Sequence, residues 1–146
     1  MIILVINCGS SSIKYQLLDM KSDEVYDVLA KGIVEKIGLE MGRLQHTATG
    51  KEKVVKDLPV PDHKVGMKLV LDALTDGEHG VLKSLDDIEA VGHRIVHGGE
   101  YFSSSALVNE DVMKKIEICC DFAPLHNPAH ILGIRAVQAV LPSVPQ

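Results

Sequence analysis

Aromatic side chains are scarce in this sequence. They make up 3% of its 146 residues; tryptophan is missing, and only Tyr15, Tyr26, Tyr101, Phe102 and Phe122 are present. So few rings exclude a base-stacking platform for single-stranded nucleic acid and a sugar cleft walled by aromatics. Positive charge is not in excess either, because 15 Lys and Arg against 20 Asp and Glu leave a net charge of −5. That balance lacks the basic footprint of a nucleic-acid binder and the polybasic patch that anionic membranes attract. Long apolar runs are also lacking. Ile2 to Ile6 is far too short to span a bilayer and has no basic lead-in of the kind signal peptides carry, so the expected location is the cytoplasm. The cysteines, Cys8, Cys119 and Cys120, are odd in number and form no CxxC pair, which argues against a disulfide framework or a zinc knuckle.

What is present is globular in character. Hydrophobic residues are 46% and charged residues 24%, both ordinary values. The length fits one domain, large enough to bury about 70% of its unfolded surface. Met1 to Ile6 reads as a buried central strand, broken by the Gly–Ser turn chemistry of Cys8 to Ser11. Ser12 to Leu18 alternates, with Ser12, Lys14 and Gln16 on one face and Ile13, Tyr15 and Leu17 on the other, the pattern of a half-buried second strand. Residues 25–37 have strand character, and Arg43 to Thr49 and Lys53 to Leu58 read as two arms around Thr49–Gly50–Lys51. Asp62 is the expected N-cap of a helix stopped at Gly77. Residues 88–96 read as a strand ending at Gly98–Gly99, and 110–120 as a helix with Val112, Ile116, Cys119 and Cys120 on its apolar stripe. Asn127–Pro128 reads as a cap and first helical position of a helix running to Leu141 and stopped by Pro142. Strands first, then alternating helix and strand, predict an α/β mixed sheet with helices packed on it.

Three segments carry candidate chemistry. In Asn7-Cys8-Gly9-Ser10-Ser11-Ser12-Ile13-Lys14 no Gly directly precedes the Lys and no helix follows it, so it is not a Walker A loop. Ser10 and Ser12 can still share a face about 7 Å apart, Lys14 extends the row with a cation, and Asn7 offers a neutral oxygen to a metal or its water. The alternative is a polar hairpin turn with a surface lysine. In Val91-Gly92-His93-Arg94-Ile95-Val96-His97-Gly98-Gly99-Glu100, Arg94 falls inside an apolar strand and calls for an anionic partner. A bidentate carboxylate or phosphate fits a guanidinium; an internal pair with Glu100 or Glu89 is the other reading. His93 and His97 would lie about 13 Å apart on a strand, too far to share one ion. In Ala123-Pro124-Leu125-His126-Asn127-Pro128-Ala129-His130, a helix N-terminus suits an anion, though Asn127 capping and Leu125 packing explain it equally. Cys119 and Cys120 are expected in the core, and Cys8 as a small packing residue.

The segments LVINCGSSSIKYQLLD, AVGHRIVHGGE and APLHNP stand in the order and rough spacing found in acetate kinases. The sequence thereby resembles the acetokinase family across essentially its whole length. The resemblance implies a ribonuclease-H-like domain of the acetate and sugar kinase, Hsp70 and actin superfamily, with residues 1–146 forming the N-terminal domain and the C-terminal domain absent. It implies reversible phosphoryl transfer from ATP to acetate, giving acetyl phosphate and ADP, with Mg2+. Asn7 falls where the family places a magnesium-associated residue, and Ser10, Ser12 and Lys14 fall on its phosphate-side turn. Arg94 matches its substrate-binding arginine, and Val96 and Leu125 match its small apolar pocket for the acetate methyl. The family's catalytic aspartate, transition-state histidine, second active-site arginine, metal-linked glutamate and adenosine-binding segments have no counterpart in these residues, so the chain alone is expected to be inactive. The whole enzyme is expected to be a homodimer, and this chain by itself a monomer. A propionate kinase domain and a short non-catalytic phosphate-binding module are the alternatives. The module predicts a polar, self-contained surface around residues 131–141, whereas a lobe of a larger enzyme predicts an exposed apolar patch there or near the sheet edge.

Overall fold

The computed structural model describes residues 1–146. Six strands form one sheet: β1 (Ile2–Gly9), β2 (Ser12–Met20), β3 (Tyr26–Glu35), β4 (Gly42–Ala48), β5 (Val54–Leu58) and β6 (Ala90–His93). Their spatial order is β5-β4-β3-β2-β1-β6. The first five make an antiparallel meander, and β6 returns to lie parallel to β1. The α/β mixed sheet is therefore as expected. Three helices accompany it: α1 (His63–Thr75), α2 (Glu110–Ile118) and α3 (Asn127–Val140).

The alternation of β2 holds in detail. Ile13, Tyr15 and Leu17 are buried, while Lys14 and Gln16 face solvent. With Leu4, Ile6 and Cys8 of β1 they join a main core of 22 buried residues, completed by Met67, Val70, Leu71 and Leu74 of α1 and by Ala136 and Val137 of α3. A smaller cluster of Met113, Ile116 and Ile134 packs α2 onto α3.

A buried polar pair crosses the core face. Tyr15, Gly32 and His46 stand side by side on β2, β3 and β4. A Cβ at position 32 would lie 2.4 Å from the Tyr15 hydroxyl, so only glycine lets Tyr15 reach across β3. His46 Nε2 lies 3.1 Å from the His79 carbonyl, which can only accept. Nε2 therefore carries the proton, and Nδ1 accepts from the Tyr15 hydroxyl at 2.6 Å.

Several boundaries differ from expectation, each for a local reason. β1 is buried on one face only; Val5 is 36% exposed because α1 and α3 cover the opposite face. β1 also runs on through Cys8 to Gly9, so the turn is only Ser10 and Ser11. α1 begins as expected, with the Asp62 side chain accepting from Val65 N at 2.8 Å. It ends at Thr75 rather than Gly77, because the Asp76 carboxylate accepts from the amides of Glu78 and His79 and turns the chain. α2 is capped by Asn109 and gives way to a 3₁₀ turn at Cys119–Asp121. Its inward stripe includes Met113, while Val112 and Cys120 are only half-buried. The strand expected over 88–96 shrinks to Ala90–His93, and Arg94 lies beyond it. His126, not Asn127, occupies the N-cap of α3, and Asn127 sits fully buried in the first turn.

Burial lowers the pKa of His46 and His130, and it pushes His93 down to about 4. The unfolded chain, with histidines near 6.5, binds more protons than the folded chain below that pH, so stability falls as the solution is acidified. Urea unfolding between pH 7.5 and 4.5 should show it, with a slope of up to about 1.4 kcal/mol per pH unit for each of the three histidines. A flat profile across that window would mean that they are not held neutral.

Candidate functional site

The site is assembled at the carboxyl ends of β1 and β6. Ile6 pairs with His93 in parallel register, and Arg94 N donates to Ile6 O at 3.1 Å. The parallel pairing, whose last register pair is Ile6 with His93, thus places Arg94 beside Asn7 at the start of the loop. Ligands of open α/β sheets bind in this position, outside the carboxyl ends of the strands.

Asn7 also lies opposite Lys14, and Gly9 opposite Ser12, across the β1–β2 hairpin. The turn is fixed from below. His63 at the start of α1 donates through Nε2 to Gly9 O at 2.8 Å, and Ile37 N donates to Ser11 O at 3.0 Å. Ser10 and Lys14 are exposed, and Asn7 and Ser12 half-buried. Ser12 and Lys14 are alternate residues of β2, whereas Ser10 lies in the turn itself, whose backbone is held in place, and does not extend their strand row.

The third segment is tied to the second. Asn127 Nδ2 donates to His97 O at 2.9 Å, and its Oδ1 accepts from His97 N at 3.3 Å. The buried amide thus fastens the Arg94–Gly99 loop to the first turn of α3. The His97 ring stacks on Phe122 with centroids 5.2 Å apart, and His97 Nδ1 accepts from Gly99 N at 2.9 Å. α3 reaches β1 closely because of Gly133, where a Cβ would sit 2.5 Å from Cys8 Sγ. Cys8 is a packing residue; burial pushes its thiol up to about 12, far from the thiolate that reactivity requires. His130 is buried below its stacked neighbour His126, and neither of its ring nitrogens has a hydrogen-bond partner. His93 Nε2 donates to the Gln146 side-chain oxygen at 2.6 Å.

The structure corrects the reading of Arg94. It is exposed, not embedded in an apolar strand, so its charge needs no internal partner. The ion-paired arginines are Arg43, with Asp57, and Arg135, with Glu110. Glu89 accepts instead from Ile2 N. Val96 and Leu125 are 41% and 78% exposed. Val96 lines an apolar cleft of about 530 Å3 with Ile95, Phe102, Val108, Val112 and Ile116, to which neither Leu125 nor Arg94 belongs. These 146 residues therefore bring Asn7, the serine turn and Arg94 to one end of the sheet but do not close an apolar pocket from Val96 and Leu125. Sequence reasoning missed the clamps, His63 and Asn127. A polar residue flanking a capped helix start is compatible with capping alone, so neither position carried a distinguishing signal.

Comparison with known proteins identifies the family. The model of the acetokinase family matches residues 2–146. Acetate kinase from Clostridium acetobutylicum is 58% identical over 97% of the chain, and that from Alkaliphilus metalliredigens 54% over 98%. The crystal structure of Porphyromonas gingivalis acetate kinase superposes with a TM-score of 0.94 at 46% identity, covering 99% of this chain and 36% of that one. A propionate kinase from Francisella tularensis superposes at 0.87 with 41% identity, over 99% of this chain and 35% of its own. The chain spans about a third of the length of the curated relatives it matches. No helix in it is long and apolar enough to cross a membrane. With its three motifs gathered at one end of the sheet and the family model matched from residue 2 to residue 146, the chain belongs to the acetokinase family.

Proposed function

We propose that the chain is the N-terminal lobe of a cytoplasmic acetate kinase, one part of an enzyme that transfers a phosphoryl group reversibly between ATP and acetate. The observation that carries this reading is the placement of Arg94 beside Asn7 and the Ser10–Lys14 turn, through the parallel pairing of β1 with β6. The curated relatives quoted above are named acetate kinase, so propionate as the acid is not favoured. Exposed Phe122, Leu125 and Leu132 border the site and α3. They support a lobe awaiting a partner surface over a self-contained module.

The chemistry suits these residues. Acetate is already ionised near neutral pH, so its oxygen attacks phosphorus without a strong general base. Catalysis then rests on positioning and on neutralising charge over the transferring group. Arg94, free of internal ion pairs, holds the carboxylate or the phosphoryl oxygens in its planar fork. Ser10, Ser12 and Lys14 hold the phosphate end of the nucleotide. Val96 and Leu125 supply part of the apolar contact for the methyl group, and the rest of the polypeptide supplies the other walls. Asn7 offers one neutral oxygen toward a magnesium ion. Among these residues no group of three or more His, Cys, Asp or Glu side chains comes together to hold a cation, and Mg2+ commonly takes one or two carboxylates besides phosphate. This lobe alone does not fit a resident magnesium; Asn7 would be at most one of its contacts in the complete enzyme, and no other role above runs through it. The complete enzyme pairs as a homodimer through its other lobe, which leaves this chain monomeric.

Two measurements test the reading. The 146-residue chain should form no acetyl phosphate from ATP and acetate, whereas the polypeptide completed to the length of its relatives should. In that complete enzyme Arg94→Ala should lower kcat/KM for acetate on the order of 100-fold, from loss of a bidentate charged contact, with Arg94→Lys recovering little of it. Unchanged acetate kinetics in Arg94→Ala would remove Arg94 from the substrate site.

Asn127 is a positioning residue. Asn127→Ala leaves the backbone groups of His97 unpaired and should destabilise the fold by about 1–3 kcal/mol. In the complete enzyme it should also raise KM for acetate more than it lowers kcat, because the loop carrying Arg94 is loosened. Loss of stability with an unaltered KM would reduce Asn127 to a structural role.

A further inference from the structure

The face of the sheet opposite α1 and α3 can be read as a grid from strand register. One transverse row runs from Val5 through Gln16 and Lys31 to Thr47. Val54 pairs with His46, so Lys53 continues that row opposite Thr47. The neighbouring row runs from Asn7 through Lys14 and Ile33 to Gln45. Together they wall a concavity of about 620 Å3. Its lining holds three lysines, the side-chain amides of Asn7, Gln16 and Gln45, the Thr47 hydroxyl and no carboxylate.

In a chain of net charge −5, three ammonium groups without a counter-ion are a local reversal of sign. The ion pairs of the structure use Lys21, Lys115, Arg43 and Arg135, not these three. Glu35 stands at the rim, where it accepts from Gln45 at 2.9 Å, and Asp57 pairs with Arg43. Lys31 and Lys53 are rooted two strands apart, about 10 Å, and Lys14 lies diagonally from Lys31. A single phosphate meets one or two such cations, whereas an extended chain of phosphoryl groups reaches all three. Lysines act here as mobile point charges, and the amides of Asn7 and Gln16 add neutral donors beside them.

We propose that this concave face binds an oligophosphate of three or more phosphoryl groups, either free or as the tail of a nucleotide. The site shares Asn7 and Lys14 with the turn discussed above, but Ser10, Ser12 and Arg94 do not line it. The proposal stands on the grid and does not require the acetate kinase reading.

Isothermal titration of the chain with inorganic tripolyphosphate tests it. The double variant Lys31→Gln/Lys53→Gln removes two exposed charges, and far-UV circular dichroism should stay unchanged. Its affinity should fall by at least about tenfold, the effect of losing charge-assisted contacts. Lys64→Gln/Lys68→Gln, the same charge change on exposed residues of α1, should weaken binding by no more than about twofold. Ser10→Ala/Ser12→Ala reports separately on the turn. ATP binding that is weakened in the Lys31/Lys53 variant while AMP fails to bind identifies a nucleotide tail as the source. Tripolyphosphate binding without ATP binding identifies a free oligophosphate. The proposal fails if tripolyphosphate does not bind, or if the α1 variant weakens it equally, which would mean diffuse attraction. It also fails if only the serine variant abolishes binding, which would place the ligand on the turn and leave the acetate kinase reading intact. Protection of Lys31 and Lys53 from amine acylation in the completed polypeptide without ligand would overturn it as well, by showing that the chain itself covers the face.

Discussion

The parallel pairing of β1 with β6 is the constraint on which the rest of the site depends. Four register pairs, extended by the bond from Arg94 N to Ile6 O, bring residues more than 80 positions apart in sequence to adjacent places at one edge of the sheet. Asn7 and the serine turn come from the first hairpin, a local structure. Arg94 arrives only after a meander, a helix and a crossover. Without the β1–β6 ladder a local phosphate-like turn and a distant guanidinium would have no fixed relation. The loop beyond β6 is not itself a regular element, so a second device holds it. The Asn127 amide satisfies both backbone groups of His97, and α3, anchored by Gly133 against Cys8, carries that amide at its start.

Elements governed by local rules were legible in the sequence. The period-2 alternation of Ser12 to Leu18, the two-arm hairpin around Gly50 and the Asp62 cap all appear as expected, because each depends on neighbours within a few residues. Elements whose limits depend on tertiary partners were not. Residues 88–96 have the composition of a long strand, but β6 has only β1 beside it and pairs over four residues. The apolar tail of the segment, Ile95 and Val96, turns away into the cleft beside Phe102 and α2. That shortening moved Arg94 from an interior strand to an exposed loop start, which reverses the electrostatic argument: an arginine that needs no internal counter-ion is available to a ligand. Asn127 shows the opposite case. Its residue type and its neighbour Pro128 fit an N-cap, and only the fold reveals that its side chain is spent on His97.

The covering of one face by α1 and α3 also decides the polarity pattern. Antiparallel sheets tolerate solvent on one side, whereas parallel pairs are normally covered on both. In this sheet one side is open even at the parallel pair, where Val5 is 36% exposed. Across β2, β3 and β4 the open face carries Lys14, Gln16, Lys31, Gln45 and Thr47, a surface at home in water. At β1, where the parallel pair begins, the same face carries Ile3, half-buried, and Val5, exposed. Asn7 of β1 and Ile33 of β3 stand on this face too, so the pattern is mixed and not divided strand by strand.

The end of the sheet and its flat carry two kinds of chemistry within a small area. The carboxyl ends of β1 and β6 bring Asn7, the Ser10–Lys14 turn and Arg94 together at the end of the sheet. The flat of the sheet presents lysines and amides with no opposing charge. Lys14 belongs to both because a strand residue beside a turn faces the sheet surface while its neighbours face the end. Its ammonium, on a flexible four-carbon stem, can swing between the two, whereas the guanidinium of Arg94 depends on a loop pinned by Asn127 and Phe122. In this lobe the mobile cation is carried by the regular strand and the planar, directional one by the clamped loop. That is the arrangement expected if the strand-borne charge gathers phosphate oxygens broadly and the loop-borne fork fixes the geometry of transfer.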